Sequence, residues 1–145
     1  MINSHILLDV VYEMKPKNQG GRGEKLEVLH SYIHASGSKV TSLTISIPFS
    51  RDKFCIITFS DKKNIIRLKL SMDEVAGLAD SVGKDVEWRC YHTFKKGEIK
   101  TETRMQYNNN FINAEKERVK IALKLTPDER SSFRLLLEGI FHKLV

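Results

Sequence analysis

Cationic side chains occupy alternate positions in several extended-looking stretches. Arg67 with Lys69 and Arg118 with Lys120 stand two residues apart, and Arg89, Lys95, Lys100, Arg104 and Lys124 fill polar positions in similar stretches. Residues two apart on a strand point to the same side. Such spacing therefore lines up guanidinium and ammonium groups, which can neutralise the phosphates of a polyanion without making or breaking a bond. Tyr91 falls on the same side and adds a ring that can stack on an unpaired base. Acidic residues there are fewer, with Glu87 and Glu102 the clear ones. Overall, 24 Lys+Arg against 18 Asp+Glu give a formal charge of +6, which favours a polyanionic partner.

Catalytic arrangements are poorer. His30 and His34 could share a helical face, but the intervening Ser-Tyr-Ile has no Glu, so the pair is no metalloprotease motif. His92 and Cys90 share one strand face at a spacing that suits packing. Asp73-Glu74 and Asp128-Glu129 fall in first turns of helices, where capping and the helix dipole explain them. Gly20-Gly21-Arg22-Gly23 lacks the ending of a phosphate-binding loop and reads as a linker. Two cysteines, Cys55 and Cys90, exclude a disulfide scaffold and a CxxC zinc site. The expectation is a non-enzyme with no metal and no cofactor.

The elements that must position the cations are strands with period-two alternation. Leu43, Ile45, Ile47 and Phe49 alternate with polar residues; residues 54–59 form a continuous apolar run; Ile66, Leu68 and Leu70 flank Arg67 and Lys69. Val86, Trp88 and Cys90 alternate with Glu87, Arg89 and Tyr91. Ile99, Thr101, Thr103 and Met105 alternate with Lys100, Glu102 and Arg104, and Val119 to Leu125 repeat the pattern. Short polar turns at 50–53, 60–63 and 95–97 imply antiparallel pairing, while Asn108-Asn109-Asn110 begins a longer loop. Phe54, Phe59, Trp88, Phe94 and Tyr107 could stack on bases, yet each taken singly fits a core better. Residues 5–14 and 26–34 fit helix and strand equally; Leu26, Leu29 and Ile33 suit a helical face.

Two helices are clear. Ser71 and Glu74 form a capping box before Val75, Leu78, Ala79 and Val82, and Gly83 supplies a left-handed stop. Thr126, Pro127 and Glu129 open the second, whose apolar stripe is Phe133, Leu136, Leu137, Ile140, Phe141 and Leu144. The lead-ins match: residues 68–74 read Leu-Lys-Leu-Ser-Met-Asp-Glu and residues 123–129 read Leu-Lys-Leu-Thr-Pro-Asp-Glu. The parallel indicates a duplicated unit of several strands and one helix. The expected fold is α+β: one domain over 1–145, an antiparallel sheet with helices on one face. Units span 37–83 and 84–145, after an uncertain region 1–36.

The stretch Ile66 to Val82 resembles the strand–helix junction of the Whirly family of single-stranded-DNA-binding proteins. Glu87-Trp88-Arg89-Cys90-Tyr91-His92 is similar to that family's next strand, and Leu125 to Leu144 to its final helix. The duplicated plan is shared with that family and with the kinetoplastid guide-RNA-binding proteins. The family's KGKAAL motif has an echo in Gly37-Ser38-Lys39-Val40, and the second half shows three clear strands where the family has four. The resemblance implies nonspecific binding of single-stranded nucleic acid by a homo-oligomer, a tetramer joined through its helices.

No apolar run approaches the roughly 20 residues of a membrane span. Met1 to Met14 carries Asp9 and no basic flank, so a signal peptide is not expected and a cytoplasmic location is. The reading from residues is a binder of single-stranded DNA or RNA. The alternative is an interaction module that uses the apolar C-terminal helix as its interface.

Overall fold

The computed structural model describes residues 25–145. The chain runs β1 (Leu26–Ser36), β2 (Lys39–Pro48), β3 (Phe54–Ser60), β4 (Ile65–Ser71), α1 (Met72–Lys84), β5 (Trp88–Lys96), β6 (Ile99–Asn108), β7 (Phe111–Lys116), β8 (Val119–Lys124) and α2 (Pro127–Leu144). Four strands and a helix thus occur twice. Each set of strands forms its own antiparallel sheet, in the order β1-β2-β3-β4 and β5-β6-β7-β8. The readings of residues 5–14, of the Gly20–Gly23 segment and of the chain start lie outside the described residues.

Turn chemistry sets the hairpins. Gly37 and Gly97 adopt φ of 62° and 63° in the β1–β2 and β5–β6 turns, a left-handed conformation that glycine enters without a Cβ clash. Asp61 Oδ1 accepts the amides of Lys63 and Asn64 at 2.8 and 2.7 Å, which closes the β3–β4 turn. Asn109 and Asn110 both take positive φ and form the tight β6–β7 turn. Residues after Asn110 are therefore not a loop. Phe111–Lys116 form the third strand of the second sheet and bring its strands to four, with Ile112 and Ala114 buried. Only those two small apolar positions marked it, too few to stand out in the sequence.

Residues 26–36 are strand, not helix, and the first unit begins with β1. A register irregularity between Val28 and His30 shifts the alternation there, which is why a period of two was hard to see. Phe49 lies past the end of β2 and is 59% exposed, and Val86 precedes β5 and is exposed.

Both capping boxes are formed. Ser71 Oγ accepts from the Glu74 amide and Glu74 Oε1 accepts from the Ser71 amide. Thr126 and Glu129 do the same at the start of α2, with Pro127 in the first turn. Gly83 is not the stop of α1. The left-handed residue is Asp85, with φ 56°. Gly83 lies inside the helix, where an added Cβ would come within 2.7 Å of Arg134 Cδ on α2. Its smallness serves the helix crossing.

One core joins both sheets and both helices. It includes Leu43, Ile45, Ile57, Phe59 and Leu68 of the first sheet, Met105, Tyr107, Ile121 and Leu123 of the second, and Val75, Leu78, Phe133 and Leu137 of the helices. The units are interlocked. Each helix lies beneath the first strand of the other unit. Tyr32 of β1 meets Phe133 of α2 edge to face at 6.1 Å. Trp88 of β5 packs on α1, its Nε1 3.2 Å from where a Gly77 Cβ would be.

Candidate nucleic-acid interface

Pairing in the second sheet decides which side chains share a face. Tyr91 lies opposite Arg104, Lys95 opposite Lys100, Arg104 opposite Glu115, and Glu115 opposite Lys120. Arg89, Tyr91, Lys95, Lys100, Arg104, Lys120 and Lys124 therefore all project from the outer face of this sheet, away from the core, and all are exposed. The face is not purely cationic. Arg89 pairs with Glu87 at 2.7 Å and Arg104 with Glu102 at 3.3 Å. Tyr91, then Glu87, hold the Arg89 guanidinium above its ordinary pKa. Lys95 and Lys100 are two like charges directly opposite, an arrangement that is unfavourable without an anion between them.

A second cationic surface lies at the edge of β4. Arg67 and Lys69 stand on the outer side of that strand, since Leu68 and Leu70 point to the core. They do not join the row on the second sheet. Across a cleft of about 720 Å3 they face the far end of the β5–β6 hairpin, and Lys96 and Lys116 line the same cleft. Phe94 and Ile99 complete its apolar wall, 66% and 72% exposed. Among the described residues, no carboxylate lines it.

The cations differ in setting. Arg67 is half-buried, and loss of solvent lowers its guanidinium pKa. It has no carboxylate partner among the described residues. Lys69 is exposed, its Nζ 4.1 Å from the centroid of the Phe54 ring. Lys124 sits over Phe111 at 5.6 Å, so the Leu-Lys-Leu lead-ins make the same kind of cation–π contact in both sheets.

Sequence spacing thus placed Arg67, Lys69, Arg89, Lys95, Lys100, Arg104, Lys120 and Lys124 on the outward sides of their strands but could not say which sheet each strand would join. The candidates divide into two surfaces, and a single open basic face is not formed. Arg118 is a further correction: it sits in the β7–β8 turn beside Glu117, which has φ 57°, and so belongs to no strand face. The first sheet's outer face is not an open basic surface either. Thr44, Ser46, Thr58 and Ser60 there are buried, and β3 is buried on both sides.

Among the aromatics, Phe54, Phe59 and Tyr107 are buried, and Trp88 packs against the core. Tyr107 donates its hydroxyl to Asp85 Oδ1 at 2.7 Å. Of the stacking candidates, Phe94 and Tyr91 are exposed; Phe49 and Phe111 are exposed too. Lys96 and Lys116 escape the sequence reading because Lys96 falls in the expected 95–97 turn and Lys116 in the expected loop after Asn108. A signal was present. The inward row of β5 passes from Trp88 and Cys90 to His92, Phe94 and Lys96, and that of β6 from Tyr107 and Met105 to Thr103 and Thr101. A row that turns polar toward one end has run past the core.

Two histidines find carboxylates. His34 Nε2 lies 2.9 and 3.0 Å from the two oxygens of Glu129, and His92 Nε2 2.7 Å from Glu74 Oε2. His30 and His34 flank Tyr32 on strand β1 rather than sharing a helix. Burial raises the Glu129 carboxyl, but the Thr126 amide and His34 outweigh it and the pKa ends below its ordinary value. Burial pushes the thiols of Cys55 and Cys90 up to about 12 each, with Glu74 adding to the effect at Cys90. Burial thus favours the protonated thiol at both positions.

Fold and site together define an α+β protein built of two interlocked four-strand-and-helix units, with two cationic surfaces on its strands. Compared with known proteins, the chain matches no family model and no curated protein. No helix among the described residues is long and apolar enough to cross a membrane.

Proposed function

We propose that this protein binds single-stranded nucleic acid with little preference for sequence. The observation that carries the reading is the cleft between β4 and the β5–β6 hairpin. Among the described residues, four cations, no carboxylate and an exposed phenylalanine line it. Phosphates fit Arg67, Lys69, Lys96 and Lys116, and an unpaired base fits the face of Phe94. A duplex hides its base faces, so stacking on Phe94 favours a single strand. The half-buried Arg67, without an acidic partner among the described residues, gains a counter-charge when a phosphate enters. The outer face of the second sheet extends the positive field, with Tyr91 as a second stacking surface. The likeness of residues 66–82 to the Whirly strand–helix junction points the same way.

Fluorescence anisotropy with oligo-dT and oligo-U at several salt concentrations tests this. Log affinity should fall with log salt at a slope of roughly −3 for four phosphates, at about −0.7 each. No binding at low salt, or affinity indifferent to salt, overturns the proposal. Adjacent residues separate the two surfaces. Lys96→Glu should weaken binding about tenfold, and Lys95→Glu, on the opposite face of β5, less. The double variant Lys69→Glu, Lys124→Glu should weaken binding with the thermal midpoint nearly unchanged; a large fall would assign both lysines to structure.

A second reading is assembly with another copy of the chain through α2. Leu135 is 59% exposed, and a shallow groove beside it is lined by Leu29, Leu136, Gly139 and Ile140. Sedimentation that gives a monomer at all concentrations removes that reading. An oligomer indifferent to oligonucleotides favours it over nucleic-acid binding.

A further inference from the structure

Glu74, Cys90 and His92 bring a carboxylate oxygen, a thiol sulfur and an imidazole nitrogen within 4.8 Å of one another. Cys90 and His92 lie two apart on the inward side of β5, and Glu74 is in the first turn of α1 beneath them. Glu74 divides its two oxygens: Oε1 accepts the Ser71 amide and Oε2 meets His92. The molecule holds its own reference for this arrangement. Glu129 and His34 repeat the carboxylate–imidazole pair with α2 and β1. The residue two before His34, however, is Tyr32, whose hydroxyl is committed to Ser132 at 2.7 Å. A carboxylate–histidine pair is therefore what the fold needs twice, and the sulfur is what one half adds.

We propose that Glu74, Cys90 and His92 form a zinc site with three protein ligands and a fourth position left to solvent. One soft sulfur, one imidazole and one oxygen suit zinc better than the hard divalent cations, which prefer oxygen alone. Bonds of about 2.0–2.3 Å set tetrahedral ligand atoms roughly 3.3–3.8 Å apart. The Glu74–His92 contact of 2.7 Å must open and the sulfur close in, by at most about 1.3 Å from the separations present. Glu74 and His92 are 28% and 30% exposed at their side chains, so an ion and a water can reach them. On binding, the Cys90 thiol gives its proton to solvent and the thiolate sulfur bonds to the metal; no electron is transferred. His92 also lines the cationic cleft. The metal would lie against its wall, but the site does not depend on nucleic acid being the ligand there.

Cobalt(II) titration of the reduced, chelator-treated full chain is the direct test. The expected result is a thiolate-to-cobalt charge-transfer band with four-coordinate visible bands, saturating at one equivalent and displaced by zinc. Cys90→Ser should abolish the charge-transfer band. Glu74→Gln and His92→Gln should each weaken cobalt binding at least about tenfold. His34→Gln, at the reference pair, should leave it unchanged. Circular dichroism checks that each variant folds, and Cys90→Ala serves if Cys90→Ser does not. Absence of the band in the parent protein, its survival without Cys90, or equal loss in His34→Gln overturns the proposal.

Discussion

The first sheet buries both of its faces through β2 and β3, whereas the second buries one face and leaves the other to solvent. Strand order, antiparallel pairing and the capped helix that follows are common to the two. What differs is the outward row. In the first sheet it is Ser42, Thr44, Ser46, Ile56 and Thr58, small or apolar and buried, and turns cationic only at the β4 edge with Arg67 and Lys69; in the second it is Arg89, Lys95, Lys100, Arg104 and Lys120. The far end of the second sheet's inward row is also freed from the core, which gives the cleft its Phe94 and Lys96. One architecture thus carries a half that is buried except at its β4 edge and a half that exposes a whole face, and the cleft lies where the two meet.

The sharpest way to break this contrast is to place the same charge on both outer faces. Thr58→Lys puts an ammonium group at a position 2% exposed and should cost about 3–5 kcal/mol or prevent folding. Thr93→Lys, exposed on the outer face of the second sheet, should stay within about 0.5 kcal/mol. Urea denaturation of the two variants reads the difference, and equal losses would end the distinction.

The two phenylalanines near the cleft sharpen it further. Phe54→Ala removes a buried ring and should cost about 3 kcal/mol in urea denaturation. Phe94→Ala should leave stability near that of the parent yet weaken oligonucleotide binding by about fivefold or more, the loss of one stacked base. A Phe94→Ala variant with lowered stability and unchanged binding would place that ring in the structural half.

Acid titration compares the halves at their carboxylate–histidine pairs. Glu129 has its pKa lowered on folding, so its contribution is complete above the ordinary glutamate range of about 4.3 and is lost as pH falls through the lowered value. Urea midpoints should therefore show the parent losing more stability than Glu129→Gln between about pH 5 and pH 3. Parallel curves would remove the linkage.

The smallest effects concern the helix glycines. Nothing lies within 4 Å of an added Cβ at Gly139, so Gly139→Ala should stabilise by about 0.5–1 kcal/mol. Gly83→Ala must displace Arg134 and should gain less or lose. A larger gain at Gly83 than at Gly139, in thermal melts, would contradict the close helix crossing.

Alternation and capping were local, and the sequence carried them. Leu68 and Leu70 had to bury together, Arg67 and Lys69 had to point the other way, and Ser71 with Glu74 had to start a helix. Each follows from bond geometry within a few residues. The duplication was legible for the same reason, in two lead-ins of like chemistry. Which strands share a sheet was not local. Arg67 and Arg89 look alike in sequence, yet one faces the cleft and the other the outer surface of the second sheet. The meeting of Lys96 and Lys116 with β4, and of Cys90 and His92 with Glu74, likewise waited on tertiary packing. Long-range contacts form where whole apolar faces fit together, and no short window of residues contains that information.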